Sequence, residues 1–143
     1  MRSERQTGPT ERSRKTDREV KLGVVIGKQA KHISEEEAHD DIAGDYLIYD
    51  ESERAGQREG TGQWVRHTSA DMFGPIGPRR LTWAEIEDWQ NLTLWLDVNG
   101  EAMQRGVTLA MVLGVAGLVS DVFRYMSLQP GGVISTGSPP GAP

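Results

Sequence analysis

Glu19-Val20-Lys21-Leu22-Gly23-Val24-Val25-Ile26-Gly27 is the stretch on which the reading of this chain turns. Leu22 to Ile26 is a short apolar run rich in β-branched residues, which fit a pleated, half-buried surface. It reads as a strand. Side chains alternate across a strand, so Glu19 and Lys21 project from the same face. A carboxylate and an ammonium therefore share one surface at the start of the strand.

Outward from this strand, the chain punctuates itself. Residues 1–18 are polar and carry Arg2, Arg5, Arg12, Arg14, Lys15 and Arg18 without any hydrophobic period. They read as a disordered basic tail, followed by one domain over 19–141. Ser34-Glu35-Glu36-Glu37 is a capping box, predicting a short helix that ends near Gly44. Tyr46 to Tyr49 reads as a second strand running into Asp50, and 51–63 as a polar loop. The Gly and Pro residues of Phe73 to Pro78 exclude a helix there. Leu92, Leu94, Leu96 and Val98 alternate with polar residues and Trp95, and Asn99-Gly100 signals a tight hairpin turn back into Glu101 to Gln104. From Thr108, a candidate cap, Met111, Val115, Leu118, Val119, Val122 and Phe123 fall on one helical face. Pro130-Gly131-Gly132 turns the chain into Val133-Ile134. Short strands, two or three short helices and glycine-bearing connections define a mainly β or α+β domain.

Composition narrows the chemistry. A net charge of −5 excludes general affinity for nucleic acid. The absence of cysteine excludes disulfides, thiolate catalysis and Cys-based zinc sites, and fits a cytoplasmic protein. Leu109 to Val119 is the longest apolar stretch and is too short to span a membrane. The N-terminus has no apolar core of a secretory signal. His32, His39 and His67 have no metal-ligand spacing. Gly23, Gly27 and Lys28 do not complete a phosphate-binding loop.

Several ordered blocks resemble the fumarylacetoacetate hydrolase family. Its metal-binding strand carries Glu-x-Glu before an apolar run and Ile-Gly; Glu19 keeps the first carboxylate and Lys21 replaces the second. Ile42-Ala43-Gly44 is intact, and Tyr49-Asp50 stands for the family's Asn-Asp. Ser52, Arg54 and Gln57 match the following Ser-x-Arg-Asp-x-Gln, with Ala55 at the Asp position. Ser69, Asp71, Phe73, Pro75, Gly77 and Pro78 match a further block, in which Thr68 holds the place of a Lys. Asn99-Gly100-Glu101, Gln104, Thr108 and Met111 match the hairpin and the segment after it, and Thr136-Gly137-Ser138-Pro139-Pro140-Gly141 resembles Thr-Gly-Thr-Pro-x-Gly. The family's lid segment and its last strand have no counterpart in these residues.

The resemblance implies a mixed β-roll fold, a homodimer, and Mg²⁺ or Mn²⁺ held by carboxylates. Such hard cations prefer oxygen ligands. The metal would act as a Lewis acid in C–C bond hydrolysis, decarboxylation or isomerisation of a 2,4-dioxo or 2-oxo acid. On that basis Glu19 and Asp50 map to metal ligands, Lys21 to the third ligand position, Thr68 to the catalytic Lys, and Gln57 and Ser138 to substrate contacts. A divalent ion and the Lys21 ammonium about 4 Å apart would repel by roughly 8 kcal/mol at an effective dielectric near 20. The resemblance therefore carries a second implication: Lys21 supplies the cation itself, between Glu19 and Asp50. The chain would then be an inactive homologue serving as a dimerising or small-acid-binding module.

Overall fold

A computed structural model describes residues 13–60 and 62–141. Five strands and four short α-helices follow one another as β1 (Thr16–Ile26), α1 (Glu35–Ala38), β2 (Ile42–Glu53), α2 (Arg54–Glu59), α3 (Trp64–Thr68), β3 (Thr93–Val98), β4 (Glu101–Val107), α4 (Val115–Tyr125) and β5 (Val133–Ser135). This is the mixed α+β architecture expected.

β1 is the axis of the fold. It pairs antiparallel with β2 on one side and with β5 on the other, giving the order β2-β1-β5. On one face Val20, Leu22, Val24 and Ile26 are buried, and the last three enter the core with Ala38, Ile42, Ile86, Trp89, Val115, Val119 and Phe123. Val115, Val119 and Phe123 stand four residues apart on α4, so one helical stripe covers that face of the sheet. Each such side chain contributes roughly 1.5–3 kcal/mol by leaving water.

The β3–β4 hairpin turns through Asn99 at φ 53° and Gly100 at φ 86°, as Asn-Gly predicts. Gln104 of β4 ties it to β1. Its buried amide accepts from Val20 N at 2.8 Å and donates to Pro139 O at 3.0 Å. Gly141, at φ 103°, completes the docking of the C-terminal segment, because a Cβ there would sit 2.3 Å from Met103 O. That docking places Ser138 over β1.

Five boundaries differ from the sequence reading. β1 begins at Thr16, so the ordered strand takes in three residues assigned to the basic tail, and Asp17 is 2% exposed. Residues 1–12 of that tail lie outside the described residues. β2 runs from Ile42 to Glu53 rather than from Tyr46 to Tyr49, because its polar residues pair across to β1. The expected loop after Asp50 contains α2, whose first turn is closed by Glu53 accepting from Ala55 N at 3.1 Å. Thr108 does not cap the long helix, which starts at Val115. Its buried hydroxyl instead donates to Trp89 O at 2.9 Å and accepts from Leu92 N at 2.8 Å. The Ser34 capping box is present as predicted, but α1 ends at Ala38 and passes through a 3₁₀ turn into β2. No helix among the described residues is long and apolar enough to cross a membrane.

Candidate functional site

The outer face of β1 carries Asp17, Glu19 and Lys21 at alternate positions. The register of the sheet sets Glu19 directly opposite Asp50, and Asp17 opposite Ser52. β2 then passes without a loop into α2. Arg54 and Gln57, three residues apart, lie on the same side of this helix. The two strands and one helix thus bring charged groups distant in sequence to one place.

Their contacts form a chain. The Lys21 ammonium lies between two carboxylates, 2.9 Å from Glu19 Oε2 and in hydrogen-bond contact with Asp50 Oδ2. Glu19 Oε2 also accepts from Ser138 Oγ at 2.8 Å, while its Oε1 accepts from the Arg54 guanidinium. Arg54 reaches on to Asp17, with Nε and Nη2 at 2.7 and 2.6 Å from Oδ2, and donates from Nη1 to Gln57 Oε1 at 2.7 Å. Three carboxylates against two cations leave the cluster one net negative charge. The side chains of Glu19, Lys21, Asp50 and Arg54 are 15–22% exposed, so water screens these pairs only partly.

Burial opposes charging at both Glu19 and Lys21, and their mutual contacts overcome it. Hydrogen bonds from Lys21 and Ser138, with the charges of Lys21 and Arg54, hold the Glu19 carboxyl below its ordinary range. Hydrogen bonds to Asp50 and Glu19, and their charges, raise the Lys21 ammonium above its own. Lys21 is thereby fixed as a cation.

Of the residues singled out in the sequence, Glu19, Lys21, Asp50, Gln57 and Ser138 meet here. Thr68 does not join them through its hydroxyl, which donates within α3 to Trp64 O and Val65 O at 3.4 Å. α3 nevertheless packs on α2: a Cβ on Gly56 would lie 2.0 Å from His67 Nδ1. Asp17 was assigned to the tail, and Arg54, matched to a polar position of the family block, takes the structural ion-pair role with Asp17 and Glu19. Extending the strand alternation two residues back from Glu19 would have placed Asp17 on the same face. Gln57 is 5% exposed, and its Nε2 is a buried donor without a partner among the described residues.

These residues do not fit a divalent metal. Lys21 stands between the two carboxylates that would supply oxygen ligands, and both Glu19 oxygens already accept from cations or a hydroxyl. Among the described residues, no group of three or more acidic or histidine side chains is placed to hold a metal ion.

The comparisons with known proteins agree with the fold and the sequence blocks. The family model described as fumarylacetoacetate (FAA) hydrolase, C-terminal, matches residues 3–143. A protein of Burkholderia cenocepacia (strain HI2424), provisionally named a hydrolase, is 50% identical over 127 residues, covering 89% of this chain and 45% of the relative. The 5-carboxymethyl-2-hydroxymuconate delta-isomerase of Mycobacterium smegmatis superposes with a TM-score of 0.83 at 34% identity, over 90% of this chain and 49% of that one. The maleylpyruvate hydrolase of Sphingobium sp. SYK-6 gives 0.81 at 30% identity, over 90% and 46%. The chain spans about half the length of the curated relatives it matches. With nearly every residue inside the family model and this fold shared with its members, the chain belongs to the fumarylacetoacetate hydrolase family and represents its C-terminal domain.

Proposed function

We propose that this domain is a metal-free member of its family, a small-acid-binding module that does not carry out the metal-assisted chemistry. The observation that carries the reading is the place of Lys21. Its ammonium lies between Glu19 and Asp50, and those carboxylates and Arg54 satisfy one another without an added ion. A divalent cation would have to displace a charge already paired on both sides. Thr68 adds a second deficit, because a hydroxyl bonded within its own helix supplies no positive charge to a developing oxyanion.

Gln57 supports binding. Its buried Nε2 needs an acceptor, since an unmet buried donor costs roughly 1–3 kcal/mol. The adjoining cluster carries one net negative charge, so this donor suits the neutral carbonyl oxygen of an oxo acid better than its carboxylate. Ser138 is the second polar group at hand. The domain is read, on family grounds, as a cytoplasmic homodimer.

A second reading keeps the enzyme: cleavage, decarboxylation or isomerisation of a 2,4-dioxo or 2-oxo acid with Mg²⁺ or Mn²⁺. The convergence of Glu19, Asp50, Gln57 and Ser138 favours it. It requires Lys21 to swing out when metal enters. The two readings part in an assay of the purified chain with acylpyruvates and oxaloacetate in Mg²⁺ or Mn²⁺. The first predicts no turnover above background for the natural chain, and recovery in a Lys21→Glu, Thr68→Lys double variant. Metal-dependent turnover by the natural chain would overturn it in favour of the second.

A further inference from the structure

Asp45 is a carboxylate that the charged cluster does not use. It lies on the other face of the β1–β2 pair, opposite the fully buried Val24, and is 2% exposed. Among the described residues, neither of its side-chain oxygens has a hydrogen-bond partner. Its backbone, by contrast, forms a complete bridge to the segment after α3: Asp45 N donates to Leu81 O at 2.7 Å, and Leu81 N donates to Asp45 O at 2.9 Å.

That bridge is one end of a longer dock. Gly77 N donates to Leu47 O at 3.0 Å and Tyr49 N donates to Pro75 O at 3.1 Å, so residues 75–81 lie along the outer edge of β2. The approach at the Asp45 end is close. Gly44 takes φ 149°, and a Cβ there would meet Leu81 O at 2.1 Å. Strain or charge at Asp45 therefore acts directly on the dock.

The charged groups around it do not neutralise it. From β1 it faces Val24. From the docked segment come Arg79 and Arg80, both exposed, with Arg79 turned to Glu85 at 3.8 Å. On its own strand the nearest charged residues are Asp50 and Glu51, of which Asp50 is paired with Lys21. Among the described residues no cation lies within ion-pair distance of Asp45.

We propose that Asp45 is a buried proton-binding site that keeps residues 75–81 docked on β2 while its carboxyl is neutral, and loosens that dock when it ionises. A carboxylate without donors in a dry core is unstable, whereas a neutral carboxyl is tolerated. Burial alone pushes its pKa up to about 8 from an ordinary 3.8. The sign follows from linkage. A group whose folded pKa is raised contributes stability that is fully present below its ordinary value and is lost as pH rises through the folded one. The loss accumulates as pH rises from the ordinary value towards the folded one and is complete above about pH 8. Residues 75–81 follow α3, whose His67 packs against Gly56 of the helix carrying Arg54 and Gln57.

The test is amide hydrogen exchange at Asp45, Tyr49, Gly77 and Leu81 in the natural chain and in Asp45→Asn. From about pH 5 to about pH 8, the natural chain is expected to exchange at these amides roughly tenfold faster per pH unit beyond the intrinsic base-catalysed rise, the linkage slope of one proton, and to follow the intrinsic rise alone above about pH 8. Asp45→Asn is expected to follow the intrinsic rise alone. Equal pH profiles in the two proteins would overturn the proposal. Should the variant not fold, the carboxyl carbon shift of Asp45 in the natural chain decides: a protonated carboxyl at pH 7 supports the site, and an ionised one overturns it.

Discussion

Ser138 and Glu19 stand 119 residues apart in the chain and 2.8 Å apart in space, the hydroxyl donating to the carboxylate oxygen that also holds the Lys21 ammonium. The contact depends on Gln104 and Gly141, which fasten the C-terminal segment to β1 and β4. It joins the segment around Ser138 to β1. Glu19 is left without a free oxygen for a further ligand.

Removing the ammonium should therefore cost more than removing the hydroxyl. Lys21→Met leaves Glu19 and Asp50 beside each other on paired strands without the charge between them. The expected loss is about 1–3 kcal/mol, below that of a fully buried pair because the side chains retain some water. Ser138→Ala should cost about 1 kcal/mol, the typical worth of one hydrogen bond. Urea unfolding with an unchanged slope measures both. Equal, negligible losses would mean that solvent screens the cluster.

The same contacts set an acid limit. Glu19 is held below its ordinary value of 4.5, so its contribution is present above that pH and is lost as pH falls through its lower folded value. Lys21 is raised above 10.5, so its contribution is present below that pH and is lost only as pH climbs past its folded value. Lys21→Met should accordingly unfold at a higher pH than the natural chain during acid titration followed by circular dichroism. Coincident acid transitions would show that the pair does not stabilise the fold.

Thr108→Val tests a different joint. The substitution keeps the shape of the side chain but removes the hydroxyl that links Trp89 O and Leu92 N beneath the hairpin. The Trp89 carbonyl lies in the buried core, where water cannot easily replace the hydroxyl, so a loss of roughly 1–3 kcal/mol is expected from thermal unfolding. A variant as stable as the parent would place the hydroxyl outside the energetics of the core.

What could be read from the sequence was local. The Ser34 box, the Asn99-Gly100 turn and the apolar run of β1 each need only neighbours within a few residues, and each is present. Asp17 was not legible because its partner Arg54 is 37 residues away and only pairing of β1 with β2 reveals it. The length of β2 was obscured by Asp45, Asp50 and Glu51, polar residues that a strand pattern rejects until their cross-strand partners are known. α2 was obscured by Gly56, which weakens helix propensity but makes room for His67. Thr108 looked like a helix cap because its type suits one. Its actual partners come from the segment before β3. For the candidate site, strand alternation put Glu19 and Lys21 on one face, while Gln57 and Ser138 entered through the family blocks alone.

Lys21 is the resident cation of the cluster, and calorimetric titration with Mn²⁺ is the decisive measurement. The natural chain should give no binding heat up to millimolar metal, while Lys21→Glu, Thr68→Lys should bind as a three-carboxylate site. Micromolar binding of Mn²⁺ by the natural chain would mean that Lys21 does not hold the metal's place.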